Sequence, residues 1–170
     1  MNSMMVFELF IPLISANILH MVVVKYNIFP FFKFPFAERL FGPNKTYRGL
    51  FFLVLMTSGL QFICNGILYD DFSIQSILLG AYLGGIYIVC ELPNSFLKRN
   101  IGIASGERAK NYPWLTVIAD KADSTFGVCL FFTIYKEIDI QYFFLLFFGA
   151  FTAHLVTSKL LQLIRLKETL

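Results

Sequence analysis

The chain has 170 residues, of which 57% are apolar, 18% are aromatic and only 15% are charged, against about 25% charged in an average soluble domain. The mean hydropathy is +0.68, and 21 residues are Phe. A soluble domain of this length has too little interior for so many large apolar side chains. The composition therefore argues against a soluble enzyme, a disordered regulator and a nucleic-acid-binding protein, and it predicts an all-α integral membrane protein.

Five segments are long and apolar enough to cross a bilayer, because a spanning helix needs about 20 apolar residues. In chain order they are residues 3–24, 49–69, 73–92, 115–135 and 140–163. These spans take up most of the chain and leave no room for a separate soluble domain. We therefore predict one membrane-embedded domain over residues 1–170.

The basic residues predict the orientation of the chain in the membrane. Thirteen of the fourteen lie on one side of the five spans: Lys25, Lys33, Arg39, Lys45, Arg48, Lys98, Arg99, Arg108, Lys110, Lys121, Lys159, Arg165 and Lys167. Cytoplasmic segments of membrane proteins carry the excess of Lys and Arg. We therefore expect the N-terminus outside, the C-terminus and both long loops in the cytoplasm, and the cell inner membrane as the location.

The apolar segment 28–36 combines five Phe residues and two prolines with one lysine at its centre, Lys33. Pro30 and Pro35 are incompatible with a long regular helix there. One interpretation is an interfacial anchor with its rings at the level of the lipid headgroups. The other is a re-entrant floor that admits a lipid tail.

Three charges interrupt the fourth predicted span, at Asp120, Lys121 and Asp123. Each charge at the centre of a bilayer costs about 2.5–3.5 kcal/mol on insertion scales, so these side chains are not expected to face lipid. Asp120 and Asp123 are three residues apart and share one face of a helix. Two such carboxylates can hold Mg²⁺, and we predict both as metal ligands and catalytic residues. The alternative is an internal ion pair between Lys121 and one of the aspartates.

A second polar set lies at the end of the third predicted span and consists of Glu91, Asn94, Ser95, Lys98 and Arg99. Glu91, Ser95 and Lys98 follow one another at helical spacing and share a face if Pro93 does not break the helix. Glu91 is a candidate third metal ligand. Lys98 and Arg99 are candidates for phosphate oxygens, with Lys98 in a catalytic role.

A third set lies in the block 42–49, which begins with the turn sequence Gly-Pro-Asn. Thr46 is predicted to cap the next helix. Lys45 and Arg48 flank that helix N-terminus, which makes it a natural anion site. The spacing is not that of a Walker A loop. We predict that Lys45, Thr46 and Arg48 serve the nucleotide.

Taken in order, these blocks resemble the CDP-archaeol synthases and, more distantly, the phosphatidate cytidylyltransferases. The similarity is carried by Gly42-Pro-Asn-Lys-Thr-Tyr-Arg-Gly49, by Glu91-Leu-Pro-Asn-Ser-Phe-Leu-Lys-Arg99 with Gly102 and Gly106-Glu107 after it, and by Asp120-Lys-Ala-Asp123. Asn17 stands where the family has a recurrent Ala-Asn. The similarity covers most of the chain, and the family also has five spans.

The resemblance implies a chemistry. That family transfers CMP from CTP to a lipid phosphate with Mg²⁺ and releases pyrophosphate. The resemblance further implies a metal site at Asp120 and Asp123. It also implies nucleotide and phosphate contacts from Lys45, Arg48, Ser95, Lys98 and Arg99. Three positions depart from the family pattern: Glu91 and Glu107 stand where Asp is usual, and Lys121 where Gln or Arg is common.

Two other functions are compatible with these residues. A small transporter could use the same charges to move an ion or an anionic solute, although transporters more often show polar residues at several depths and inverted repeats, and the sequence shows neither. A catalytically inactive scaffold is the other, because of the Asp-to-Glu changes. The sequence leaves the acceptor lipid and the oligomeric state undetermined.

Overall fold

The computed structural model describes residues 3–107, residue 109 and residues 111–166. Five long helices dominate it: α1 (Ser3–Lys25), α3 (Tyr47–Tyr69), α4 (Ile74–Asn100), α5 (Pro113–Tyr135) and α6 (Ile140–Leu163). A 3₁₀ turn (Pro30–Phe32) and the short helix α2 (Glu38–Phe41) lie between α1 and α3. Arg108, Lys110 and Lys167, which contributed to the charge pattern above, lie outside the described residues.

The protein is an all-α membrane protein. Four of the helices, α1, α3, α4 and α6, are long and apolar enough to cross a membrane. Helix α5 has a similar length but contains Asp120, Lys121 and Asp123. The five predicted segments all coincide with helices. The third predicted span, residues 73–92, corresponds to the first part of α4, which continues through Pro93 to Asn100.

Helices α3 and α4 pack closely because α4 has glycines at the contact. A Cβ atom at Gly80 would lie 2.6 Å from Ser58 Cα, and one at Gly84 would lie 3.0 Å from Val54 Cα. Real Cβ atoms do not approach backbone this closely. The Gly80–Gly84 pattern therefore serves close helix packing.

Helix α4 is central, with α3 on one side and α5 on the other, while α1 packs on α3 and α6 packs on α5. The main core contains buried side chains from α1, α4, α5 and α6, including Leu9, Leu83, Phe132 and Leu146. Large apolar side chains such as Ile67 and Ile134 point outward along the helices and remain exposed. These outer surfaces are the ones that lipid would cover.

The long helices run up and down, so their connections alternate between two ends of the bundle. The segments 26–46 and 101–112 lie at one end, which we call the cavity face. The short connections 70–73 and 136–139 lie at the other end, the far face. This alternation agrees with the predicted arrangement of loops. Which face is cytoplasmic stays a prediction.

A buried ion pair near the far face was not expected from the sequence. Glu8 is completely buried, and its Oε1 lies 2.7 Å from Nζ of Lys136. Tyr69 OH donates a hydrogen bond to Glu8 Oε2 at 3.1 Å. The contact joins α1, the end of α3 and the turn after α5. Lys136 is the one basic residue that the charge pattern places on this face.

Amide and hydroxyl side chains extend this polar region between α1, α3 and α4. Gln61 Nε2 donates to the backbone oxygen of Glu8 at 3.3 Å and to Asn65 Oδ1 at 2.9 Å. Asn65 Nδ2 in turn donates to Ser76 Oγ at 3.1 Å. Polar side chains therefore occur at several depths of the bundle. The expectation that they do not was wrong, because these amides and hydroxyls are interspersed in apolar stretches and form hydrogen bonds with one another.

Candidate functional site

A large polar cavity of about 740 Å³ opens at the cavity face. The ends of all five long helices contribute to its wall. The predicted site residues all line it: Lys45, Thr46, Arg48, Glu91, Ser95, Lys98, Arg99, Asp120 and Asp123. Three blocks that are far apart in sequence are thus brought to one place.

Asp120 and Asp123 meet at one nitrogen atom in the cavity. Asn94 Nδ2 donates to Asp120 Oδ1 at 2.7 Å and to Asp123 Oδ2 at 2.9 Å. Asn94 comes from α4 and both aspartates from α5, so this amide holds the two carboxylates together across a helix interface. The amide of Asn94 lies where a single cation could contact both carboxylates, and the oxygen donors are of the kind that Mg²⁺ prefers. The residues present therefore fit such an ion.

Lys98 reaches one of these carboxylates, that of Asp120, from one turn further along α4. Its Nζ lies 2.6 Å from Asp120 Oδ1 and 2.9 Å from Asp120 Oδ2. Asp120 is thus paired with Lys98, whereas the alternative considered from sequence was a pair within α5 involving Lys121. Lys121 is buried, and its backbone oxygen accepts a hydrogen bond from Thr125 Oγ1 at 2.6 Å.

Glu91, the predicted third metal ligand, forms an ion pair with Lys45. Within the described part of the chain, the His, Cys, Asp and Glu side chains form no group of three or more that could hold a metal ion. The structure thus brings Asp120 and Asp123 together and directs Glu91 towards the block 42–49. The pair has a structural consequence, since it ties that block to α4.

The two arginines line the cavity while they hold the surrounding loops. Arg48 is 3% exposed, and its Nη1 donates to Asn27 Oδ1 at 2.9 Å and to the backbone oxygen of Ile28 at 3.1 Å. Arg99 Nη1 donates to the backbone oxygen of Ile103. Each guanidinium has five N–H donors, so these contacts leave others for a ligand.

The block 42–49 adopts the predicted turn and helix start. Thr46 is the N-cap of α3, and its hydroxyl accepts a hydrogen bond from the backbone N–H of Gly49 at 3.2 Å. Gly42 has a φ of 88°, and a Cβ atom there would lie 3.0 Å from Arg99 Nε. Glycine is therefore required at the turn, both for its conformation and for the close approach of Arg99.

Sequence reasoning placed Asn94 in the polar set of α4 but did not assign it to the site. It also missed a polar contact in the cavity floor, where Asn17 Nδ2 donates to Tyr87 OH at 2.9 Å and His154 Nε2 lies 3.2 Å from the same hydroxyl. The sequence does contain a signal that could have assigned Asn94 to the site, because this residue is next to Ser95 at a helix end rich in polar groups. No sequence pattern indicates the contact of Tyr87 with Asn17 and His154, since the three residues lie on three different helices.

No model of a known protein family matches this chain, and neither a curated protein nor a solved structure is significantly similar to it.

Proposed function

We propose that this protein is a membrane-embedded, CTP-dependent cytidylyltransferase that transfers CMP to a membrane lipid phosphate. The products are a CDP-activated lipid and pyrophosphate, and the role is in phospholipid biosynthesis. The observation that carries the proposal is the pair Asp120 and Asp123, held together by Asn94 in a cavity that cationic side chains also line. The resemblance of the three sequence blocks to the CDP-archaeol synthases supports the same reaction.

The electrostatics of the cavity suit a substrate that carries several phosphates. Lys45, Arg48, Lys98 and Arg99 all line it, and each can donate charge-assisted hydrogen bonds to phosphate oxygens. Lys98 has three N–H donors, so it can keep a bond to Asp120 and still reach a phosphate. The backbone N–H groups at the start of α3 add a further site for an anion.

The reaction requires no side chain as a nucleophile. A lipid phosphomonoester has a second pKa near 6 and is largely ionised at neutral pH. One of its oxygens attacks the α-phosphorus of CTP and forms a new P–O bond. The bond from that phosphorus to the bridging oxygen breaks, and pyrophosphate leaves with the electron pair. The side chains of this cavity have to orient the two anions and offset their repulsion.

Asp120 and Asp123 would hold Mg²⁺, which supplies charge neutralisation for the phosphates when bound. Asn94 positions the two carboxylates. Ser95, the residue after Asn94 in α4, is buried and lines the same cavity. We place the cavity on the cytoplasmic side of the inner membrane, because CTP is a cytosolic nucleotide and the basic residues gather on this face.

The test is release of pyrophosphate by the purified protein in lipid vesicles. We expect release from CTP that depends on both Mg²⁺ and a lipid phosphate, and that disappears in Asp123→Asn. Phosphatidate and an isoprenoid glycerol phosphate should be supplied separately, since the head of each fits the same cavity. Absence of release with both acceptors would contradict the proposal.

A second candidate is passage of an ion or an anionic solute through the bundle. The buried polar side chains of the far half, from Glu8 to Ser76, favour it because transporters place polar groups at several depths. Flux of radiolabelled phosphate or of protons across the same vesicles, without any release of pyrophosphate, would support this function over the enzyme.

A further inference from the structure

The segment 28–36 has two chemically different sides. Lys33 and Phe36 line the polar cavity, together with Lys25 at the end of α1. The remaining aromatic side chains of the segment are absent from the cavity wall and point away from it: Phe29, Phe31, Phe32 and Phe34. Phe31 is 61% exposed and Phe34 is 64% exposed. One short segment therefore separates a polar cavity from an outer apolar surface.

The outer aromatic side lies against a membrane-spanning helix. The ring of Phe29 stacks on Phe52 with centroids 5.1 Å apart, and the ring of Phe32 stacks on Phe51 at 6.1 Å. Phe51 is four residues inside α3, or about 6 Å along the helix axis from its first residue. The rings of Phe29 and Phe32 therefore lie at the depth of the first turns of α3.

The segment is held in this position from both ends. At its start, Arg48 bonds Asn27 and Ile28. At its end, the backbone N–H of Phe36 donates to Lys45 O at 3.1 Å, and that of Tyr47 donates to Phe34 O at 3.0 Å. These bonds pair the backbone groups on both sides of Pro35, and irregular backbone at membrane depth needs such partners.

We propose that residues 28–36 form a re-entrant aromatic wall embedded in the lipid leaflet, and that Lys25 and Lys33 beside it bind the anionic headgroup of a membrane lipid at the cavity mouth. Charge complementarity identifies the partner, because both lysines are exposed and lie at the border between the aromatic surface and the cavity. The wall and its lipid contact are independent of cytidylyl transfer. Only the assignment of the bound lipid as the acceptor of CMP rests on the proposed function.

The depth of the wall can be measured by fluorescence quenching in vesicles. In a Trp114→Phe background, which removes the one native tryptophan, Phe31→Trp and Phe34→Trp place a reporter on the wall. Arg39→Trp on the exposed short helix α2 is the matched control. We expect brominated acyl chains to quench both wall reporters at least threefold more than the control, and aqueous acrylamide to show the reverse order. Equal quenching of all three reporters by acrylamide would contradict the proposal that the wall is embedded in the lipid leaflet.

The headgroup contact is tested by binding in detergent without any nucleotide. Native mass spectrometry should show phosphatidylglycerol bound more tightly than phosphatidylcholine. The double variant Lys25→Gln, Lys33→Gln should lose about 25-fold in affinity for phosphatidylglycerol, since each lysine near an anionic surface contributes about fivefold. Lys159→Gln, an exposed lysine on α6 away from the cavity, is the control and should bind normally. Equal loss in the control variant, or no preference between the lipids, would overturn the headgroup site.

A second copy of the chain is the other possible occupant of the aromatic surface. Chemical cross-linking of the protein in vesicles distinguishes it from lipid. A dimer that is lost in the double variant Phe31→Ser, Phe34→Ser would overturn the proposed lipid contact, whereas a cross-linking pattern unchanged by those substitutions supports it.

Discussion

Lys98 Nζ lies 2.6 Å from Asp120 Oδ1, so a residue predicted to bind phosphate and a residue predicted to bind metal are in direct contact. The side chain of Lys98 is 15% exposed and that of Asp120 is 32% exposed, which leaves both within reach of the cavity. The contact neutralises one of the two clustered carboxylates. It also means that the two functions assigned to these side chains are coupled, because a ligand that reaches either one changes the surroundings of the other.

Lys98→Ala and Arg99→Ala should each reduce CTP use roughly ten- to a hundredfold. A charge-assisted hydrogen bond to a phosphate is worth about 1.5–3 kcal/mol, and both side chains end in the cavity. The measurement is kcat/KM for CTP in vesicles, with thermal stability followed in parallel. Lys159→Ala, which removes an exposed lysine outside the cavity, is the control. Unchanged kinetics in both cavity variants would show that Lys98 and Arg99 serve only the orientation of the chain in the membrane.

Asp123→Asn should abolish turnover while the protein remains folded in the membrane. The amide keeps the shape of the carboxylate but lacks the charge that a Mg²⁺ ligand needs. An amide is also less costly than a carboxylate inside a bilayer, so insertion should not suffer. The measurements are pyrophosphate release and thermal stability over a Mg²⁺ titration. A variant with normal activity and poor stability would rule out the metal role of Asp123.

Reporter fusions at Asp71 and Glu137 should report the outside of the cell. Both residues lie in the short connections of the far face, which contain one basic residue, whereas thirteen basic residues belong to the other side. Fusions within the segment 101–107 should report the cytoplasm and serve as the internal comparison. A cytoplasmic signal at Asp71 or Glu137 would reverse the predicted orientation. The cavity would then face the outside of the cell, away from cytosolic CTP.

Breaking the Glu8–Lys136 pair should destabilise the bundle by about 3 kcal/mol. Removing one partner of a buried pair typically costs 3–5 kcal/mol, and Lys136 is 25% exposed, which places this pair at the lower end. Glu8→Gln and Lys136→Met should each lower the free energy of unfolding in denaturant. The double variant should cost less than the two single effects added together, because no uncompensated charge remains. Strict additivity would show that the two groups do not interact.

Gly80→Ala should destabilise the protein strongly, and Gly85→Ala should leave its stability nearly unchanged. A Cβ atom at position 80 would lie 2.6 Å from backbone atoms of α3, whereas nothing lies within 4 Å of one at position 85. Both glycines are in α4, so the gain in helix propensity from Ala is similar for the two variants. Thermal unfolding in detergent provides the comparison. Equal melting temperatures for the two variants would contradict the α3–α4 packing described above.

The long helices, and the end of the bundle at which the candidate site residues gather, could be predicted from the sequence. Lipid leaves backbone groups no partner outside the helix, so apolar runs of about 20 residues define the spans directly. Charged residues that a bilayer rejects must share an interior cavity, and for this reason the blocks around Lys45, Lys98 and Asp123 could be assigned to one site.

Tertiary structure alone decided which polar groups meet. Lys98 and Asn94 contact Asp120 across α4 and α5, and Lys45 pairs with Glu91. The pair of Glu8 and Lys136 links residues 128 positions apart. Helical periodicity gives the face on which a residue lies but not the rotation of that face towards a particular neighbour. Contacts between side chains on different helices depend on that rotation and on the distance between helix axes, and both follow from packing such as the close approach at Gly80.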